Sequence, residues 1–132
     1  MNKRMTIQRQ IVLDTVKALD HPAANSVYEE VRIKYPHISL GTVYRNLTSL
    51  CDDRELLRLT FPNSPDRFDP NLHPHYHLLC RRCGGVSDVD MAYLSEIDRA
   101  ASEKTGLSIE GHMVCFFGIC GQCRDGPDAA VQ

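Results

Sequence analysis

The sequence contains no long run of apolar residues. Its first ten residues, Met1 to Gln10, carry charged and amide side chains with no hydrophobic stretch behind them. Neither a signal peptide nor a membrane span is therefore expected, and a cytoplasmic location is. No internal repeat and no extended low-complexity segment occurs, which leaves ordinary globular architecture. Nor does one sign of charge dominate: 15 Lys and Arg face 17 Asp and Glu, a balance that ordinarily argues against nucleic acid. A zinc deaminase is disfavoured too, because no Glu follows His75 or His77 at the required spacing and no Pro precedes Cys80.

What is present is concentrated. Between Arg67 and Asp88, 22 residues hold three histidines, two cysteines and the carboxylates Asp69 and Asp88. Soft thiolates favour zinc, whereas imidazole with carboxylate favours harder divalent ions such as iron or manganese, so two chemically different metal sites are expected. A chain of 132 residues is near the size at which one core divides into two, and small halves need a staple. In the cytosol the six cysteines, four of them in paired spacing, read as metal ligands or redox thiols ahead of disulfides. Charge is also uneven. Residues 1–60 carry nine basic and seven acidic side chains, and residues 61–132 six and ten, compatible with DNA binding at one end only.

Thr6 can cap a helix that carries Ile7, Ile11, Val12, Val16 and Leu19 on one stripe and stops near Asp20-His21-Pro22. A second helix is signalled by Val27, Tyr28 and Val31 and ends at Tyr35-Pro36, since the residue before proline is pushed out of the helical region. Ser39 caps a third, with Leu40, Val43, Leu47 and Leu50 on one face and Gly41, Tyr44, Arg45 and Thr48 on the other. Three such helices suit a plain bundle as well as a helix-turn-helix. The hairpin expected next, Leu56–Thr60 and Arg67–Asp69 around a Pro-rich turn, adds a wing and favours DNA binding. A hinge at Pro70 to Pro74 divides the chain into residues 1–70 and 71–132. In the second part, strands at Tyr76–Cys80 and Gly85–Val89 precede a helix capped by Asp90, with Leu94, Ile97 and Ala101 inward and Gly106 as its stop. A long strand from Leu107 to Ile119 and a disordered tail from Arg124 to Gln132 complete the expectation. The fold class is α+β, a winged helix-turn-helix domain followed by a small α/β domain.

Cys80-x-x-Cys83 and Cys120-x-x-Cys123 form the most specific motif, since two thiolates three residues apart chelate one tetrahedral ion and a second pair closes the site. Two disulfides or a thiol switch are the alternatives. His75 and His77, two apart on a strand, point to one side and can reach one ion, although such pairs also occur as ordinary surface features. Asp69 and Asp88 taken singly are solvated carboxylates, and His21 taken singly is a helix-start residue. His37, His73 and His112 are expected to be nonligands, and Cys51 and Cys115 to pack as small apolar side chains.

His21-Pro22-Ala23, the run Ser39 to Leu47, Arg67-Phe68-Asp69, His75-Tyr76-His77 and both Cys pairs lie in one order along nearly the whole chain. Together they resemble the ferric uptake regulator family of bacterial metal-dependent repressors. The resemblance implies a winged-helix DNA-binding domain, a C-terminal dimerisation domain and a homodimer on a palindromic double-stranded operator. It places regulatory Fe2+ or Mn2+ on His21, Asp69, His75, His77 and Asp88, beside structural Zn2+ on the four cysteines. Asp instead of Glu at 69 and 88 resembles the peroxide-responsive branch, and Pro74 and Tyr76 stand where relatives with an additional metal site use His and Asp. Tyr44, Arg45 and Asn46 are expected to read DNA, Arg45 at a base edge or phosphate and Tyr44 at a thymine methyl. The chain is thus read as a repressor and not an enzyme. Metal is its corepressor, and peroxide acting with bound iron adds oxygen to His21 or His75. An iron, zinc or manganese uptake regulator of the same family, a thiol redox switch and a metallohydrolase are the alternatives.

Overall fold

A computed structural model describes residues 6–126, which fall into two compact units, one ending at Leu72 and the other beginning at His73. In the first unit α1 (Ile7–Ala18), α2 (Ala24–Lys34) and α3 (Leu40–Asp52) precede β1 (Leu57–Leu59) and β2 (Arg67–Asp69). Thr6 caps α1 by accepting the Arg9 N–H at 3.0 Å, and Ser39 caps α3 by accepting that of Thr42 at 3.0 Å. Val12, Leu13 and Val16 of α1, Val27 and Val31 of α2, and Val43, Leu47 and Leu50 of α3 form one core closed by Leu56 and Phe68. Ile7 and Leu40, expected on the inward stripes, are exposed, because each stands at the first position of its helix, beyond the reach of the core. The strands pair antiparallel with Arg58 opposite Phe68, so the hairpin is a wing on a helix-turn-helix.

The second unit contains β3 (Tyr76–Cys80), β4 (Val86–Val89), α4 (Ser95–Thr105), β5 (Cys115–Gly118) and α5 (Gly121–Asp125), with sheet order β4-β3-β5. Gly106 ends α4 in the left-handed conformation at φ +73°, where a side chain would be strained. Four expectations for this unit need correction. Asp90 does not cap α4: Leu94 stands at the cap position, and the Leu94 N–H donates to the Tyr76 hydroxyl at 2.9 Å. That hydroxyl also meets His112 Nε2 at 2.7 Å, His112 Nδ1 meets Asp98 Oδ1 at 2.7 Å, and the Tyr93 hydroxyl donates to Asp98 Oδ2 at 2.5 Å. The bonds from Tyr93 and then His112 hold the Asp98 carboxyl below its usual range. The start of α4 is thus set by a partner far away in sequence. Leu94 and Ile97 are exposed, not inward.

The strand expected over Leu107–Ile119 forms only at Cys115–Gly118. β5 runs parallel to β3 with His77 beside Cys115, and ahead of it the His112 N–H donates to the Tyr93 hydroxyl at 3.1 Å and so is not offered to a ladder. Arg124 and Asp125, expected in a disordered tail, belong to α5, while Pro127 to Gln132 and Met1 to Met5 lie outside the described residues. Ser39→Ala should lower unfolding stability by about 1 kcal/mol through loss of the α3 cap, read as a shifted urea midpoint at unchanged slope.

Candidate metal centres

β3 carries donors at both ends. Cys80 closes it, and the chain turns back so that the Gly84 N–H donates to the Cys80 carbonyl at 2.9 Å with Gly84 at φ +73°. Parallel pairing of Cys80 with Gly118 delivers Cys120 beside that turn, and Cys123 follows within α5. One sulfur from each of Cys80, Cys83, Cys120 and Cys123 lies within 4.8 Å of the others, and Cys83 Sγ stands 3.8 Å from Cys120 Sγ. Zinc with Zn–S bonds of about 2.3 Å makes a tetrahedron with edges of about 3.8 Å, whereas a disulfide needs about 2.05 Å. All four are free thiols, and the donor set fits zinc.

Backbone groups prepare the sulfurs for a cation. The N–H groups of Cys83 and of Cys120 each reach Cys80 Sγ at 3.4 Å, and in that order they hold the Cys80 thiol down at about 6 against the opposing effect of burial. Removal from solvent, and then hydrogen bonding with the sulfurs of Cys120, Cys80 and Cys83, push Cys123 up to about 12. Four crowded sulfurs therefore share protons unevenly, and a divalent ion relieves this by taking four thiolates.

The His and Asp residues form one group in each unit. In the first unit His21 is buried and non-helical, at φ +47°, in the left-handed region that a non-glycine residue adopts only under constraint. Arg67 Nη1 donates to the His21 carbonyl at 3.3 Å and the Phe68 N–H donates to that of Pro22 at 2.9 Å, which pins the loop to β2. His21 Nδ1 then lies 2.6 Å from Asp20 Oδ1, and Nε2 lies 3.3 Å from Asp69 Oδ2 at the end of β2. In the second unit His77 pairs with Asp88 across β3 and β4, and His75 stands one residue ahead of β3. Asp88 Oδ1 is 3.1 Å from His75 Nε2 and 3.4 Å from His77 Nε2, and His75 Nδ1 is 2.6 Å from the His73 carbonyl.

His21 and His75 thus share one arrangement. With Nδ1–H given to an oxygen, the lone pair of Nε2 points toward a carboxylate, the orientation in which second partners hold metal-ligating histidines. Ligands at right angles about an ion with bonds of about 2.1 Å stand about 3.0 Å apart, close to these separations. Asp20, read from sequence only as part of a helix stop, is the oxygen partner beside His21 Nδ1. Its signal was its place immediately before a histidine.

On α3, Tyr44 and Arg45 are exposed, with Arg45 Nη2 donating to Thr42 Oγ1 at 3.1 Å. Asn46 is half-buried and its amide donates to the Thr42 carbonyl at 2.9 Å, one turn back along the helix. Arg58, which the sequence reading passed over, packs against this helix from the wing. Zinc retention by the cysteine centre should weaken as pH falls, most steeply below about 6, where Cys80 also takes a proton. The low Cys80 value favours thiolate above that pH, and protonation below it opposes the metal. Zinc release to a chromogenic chelator, followed from pH 8 down to pH 5, checks this, and a flat profile would contradict it.

Known proteins resemble this chain in sequence and fold. The model of the ferric uptake regulator family matches residues 1–117. The chain is 36% identical over 123 residues to the peroxide-responsive repressor PerR of Staphylococcus aureus, covering 92% of this chain and 83% of that protein. It superposes on the Campylobacter jejuni peroxide stress regulator with a TM-score of 0.74 at 32% identity, covering 88% of each chain. The Helicobacter pylori ferric uptake regulator Fur shares the fold, with a TM-score of 0.78 at 20% identity over 95% of this chain and 84% of that one. A family match that spans both units, joined to a winged helix followed by a four-cysteine centre, establishes that the chain belongs to the ferric uptake regulator family.

Proposed function

We propose that the chain is a metal-dependent DNA-binding repressor that responds to peroxide. Zinc held by Cys80, Cys83, Cys120 and Cys123 staples the second unit. Ferrous iron or manganese is held by His21, Asp69, His75, His77 and Asp88 as the regulatory ion. The observation that carries this reading is the shared state of His21 and His75, each with Nδ1 on an oxygen and Nε2 toward a carboxylate. Three imidazoles with two carboxylates suit ferrous iron or manganese. Because His21 and Asp69 belong to the first unit and the other three donors to the second, an ion taking all five would tie the DNA-reading unit to the rest of the chain. Metal occupancy would then set operator affinity, since the ion stabilises only the state in which all five donors are engaged.

Tyr44, Arg45 and Asn46 form the reading face of α3. The partner is a palindromic duplex read by a homodimer. A second copy is supported by α4, which buries no residue, and by the exposed apolar side chains of Ile97, Met113, Phe116 and Phe117. Peroxide as the signal is supported by the aspartates at 69 and 88 and by the likeness to the S. aureus and C. jejuni peroxide regulators. Ferrous iron held by these residues would supply the electrons that break the peroxide O–O bond, one oxygen passing to a ring carbon of His21 or His75 and the other leaving as water, which manganese would not do readily. One oxygen added to the ring of His21 or His75 weakens that imidazole as a donor, and operator affinity falls.

His21→Ala should keep its fold and its zinc while losing at least about tenfold of the manganese-dependent gain in operator affinity. Fluorescence anisotropy on promoter DNA reads this, and an unchanged gain would refute the shared ion. Mass spectrometry of the iron-loaded protein after dilute peroxide should find one added oxygen on a peptide holding His21 or His75, and none when manganese is bound. Oxidation confined to cysteines would instead favour a thiol switch.

A further inference from the structure

The wing and α3 meet around one side chain. Arg58 of β1 lies opposite Phe68 of β2, its guanidinium carbon 5.4 Å from the centre of the Phe68 ring and 6.0 Å from that of Tyr44 in α3. Nη2 donates to Thr48 Oγ1, also in α3, at 3.1 Å, and Nη1 stands 3.5 Å from Asp66 Oδ2 just before β2. One planar fork therefore touches two positions of the helix and two of the hairpin.

Beside it lies a crevice of about 250 Å3, lined by Leu40 and Tyr44 of α3, Pro65, Asp66 and Phe68 of the hairpin, and the start of α2. Side chains leave that space open, so close packing does not fix the attitude of Tyr44 to the wing on this side. A guanidinium with divergent donors and a stacking face can do so, and a lysine ammonium, a point charge on a flexible stem, cannot. The charge of Arg58 is already engaged by Asp66, which limits what it can add to phosphate attraction.

We propose that Arg58 is a positioning residue for operator reading: by joining Tyr44 and Thr48 to Asp66 and Phe68 it holds the base-reading face of α3 and the wing in one attitude, and so sets sequence discrimination. This rests on the reading of α3 and the wing as the DNA-binding elements. Conversion of contacts into discrimination requires that several side chains reach their base edges together, whereas non-specific affinity depends on charge alone.

The test uses the manganese-loaded full chain, a duplex that the wild type selects from a random pool, and poly(dI-dC) as the non-specific competitor. Failure of the wild type to select any duplex rejects the DNA-binding reading itself and is distinct from failure of this proposal. Given a selected duplex, Arg58→Lys is expected to lower the preference for it by about tenfold while leaving non-specific affinity and the salt slope unchanged. Thr48→Val should shift preference the same way by a smaller factor, with the two effects non-additive in the double variant. Full preference in Arg58→Lys, or equal loss on both duplexes as a phosphate contact would give, overturns the proposal. Should circular dichroism show that Arg58→Lys does not fold, Thr48→Val and Asp66→Asn carry the test, and unchanged preference in both overturns it.

Discussion

The register of β3 governs every proposed donor of the second unit. Antiparallel pairing puts His77 against Asp88, and parallel pairing puts Cys80 against Gly118, two residues short of Cys120. A slip of one residue would turn His77 to the other face and carry Cys80 away from Cys120, so one error would dismantle both centres. The ladder is short. Zinc across Cys80, Cys83, Cys120 and Cys123 would lock the end of β3 to the chain beyond β5, the service a metal commonly performs in a core too small to hold itself.

In the first unit the corresponding constraint is the loop Asp20-His21-Pro22. A non-glycine residue at φ +47° costs on the order of 1 kcal/mol and persists only where its surroundings over-determine it. Here the Arg67 guanidinium and the Phe68 N–H hold two successive carbonyls against β2. The same strand ends in Asp69, so the element that forces the loop also supplies the carboxylate facing His21. Strain, wing and candidate ligand therefore belong to one local device. Its neighbour Arg58 ties the outer end of the wing to α3.

Local chemistry was legible where local chemistry decides. Thr6 and Ser39 begin their helices because a hydroxyl can satisfy a nearby N–H, and Gly106 ends α4 because only glycine adopts that conformation without strain. The paired spacing of the cysteines likewise announced a tetrahedral set. What the residues did not announce was decided at long range. The start of α4 depends on the Tyr76 hydroxyl rather than Asp90, and ahead of the short strand β5 the His112 N–H is taken by the Tyr93 hydroxyl rather than by a ladder. Each of His21, Asp69 and Asp88 read alone was ordinary; the resemblance to a family, and not their spacing, joined them into one candidate set. Asp20 was passed over although it stands immediately before a histidine, and Arg58 because its partners in α3 and the hairpin are brought to it only by the fold.

The proposed regulatory ion would take donors from both units. Counting imidazoles around that ion tests it without reference to DNA, by X-ray absorption of the protein loaded with manganese at this site and zinc at the cysteines. Three imidazoles are expected in the wild type and two in each of His21→Ala and His77→Ala, at unchanged zinc content. An imidazole count that falls in His77→Ala yet stays the same in His21→Ala would contradict the claim, since the ion would then belong to the second unit alone.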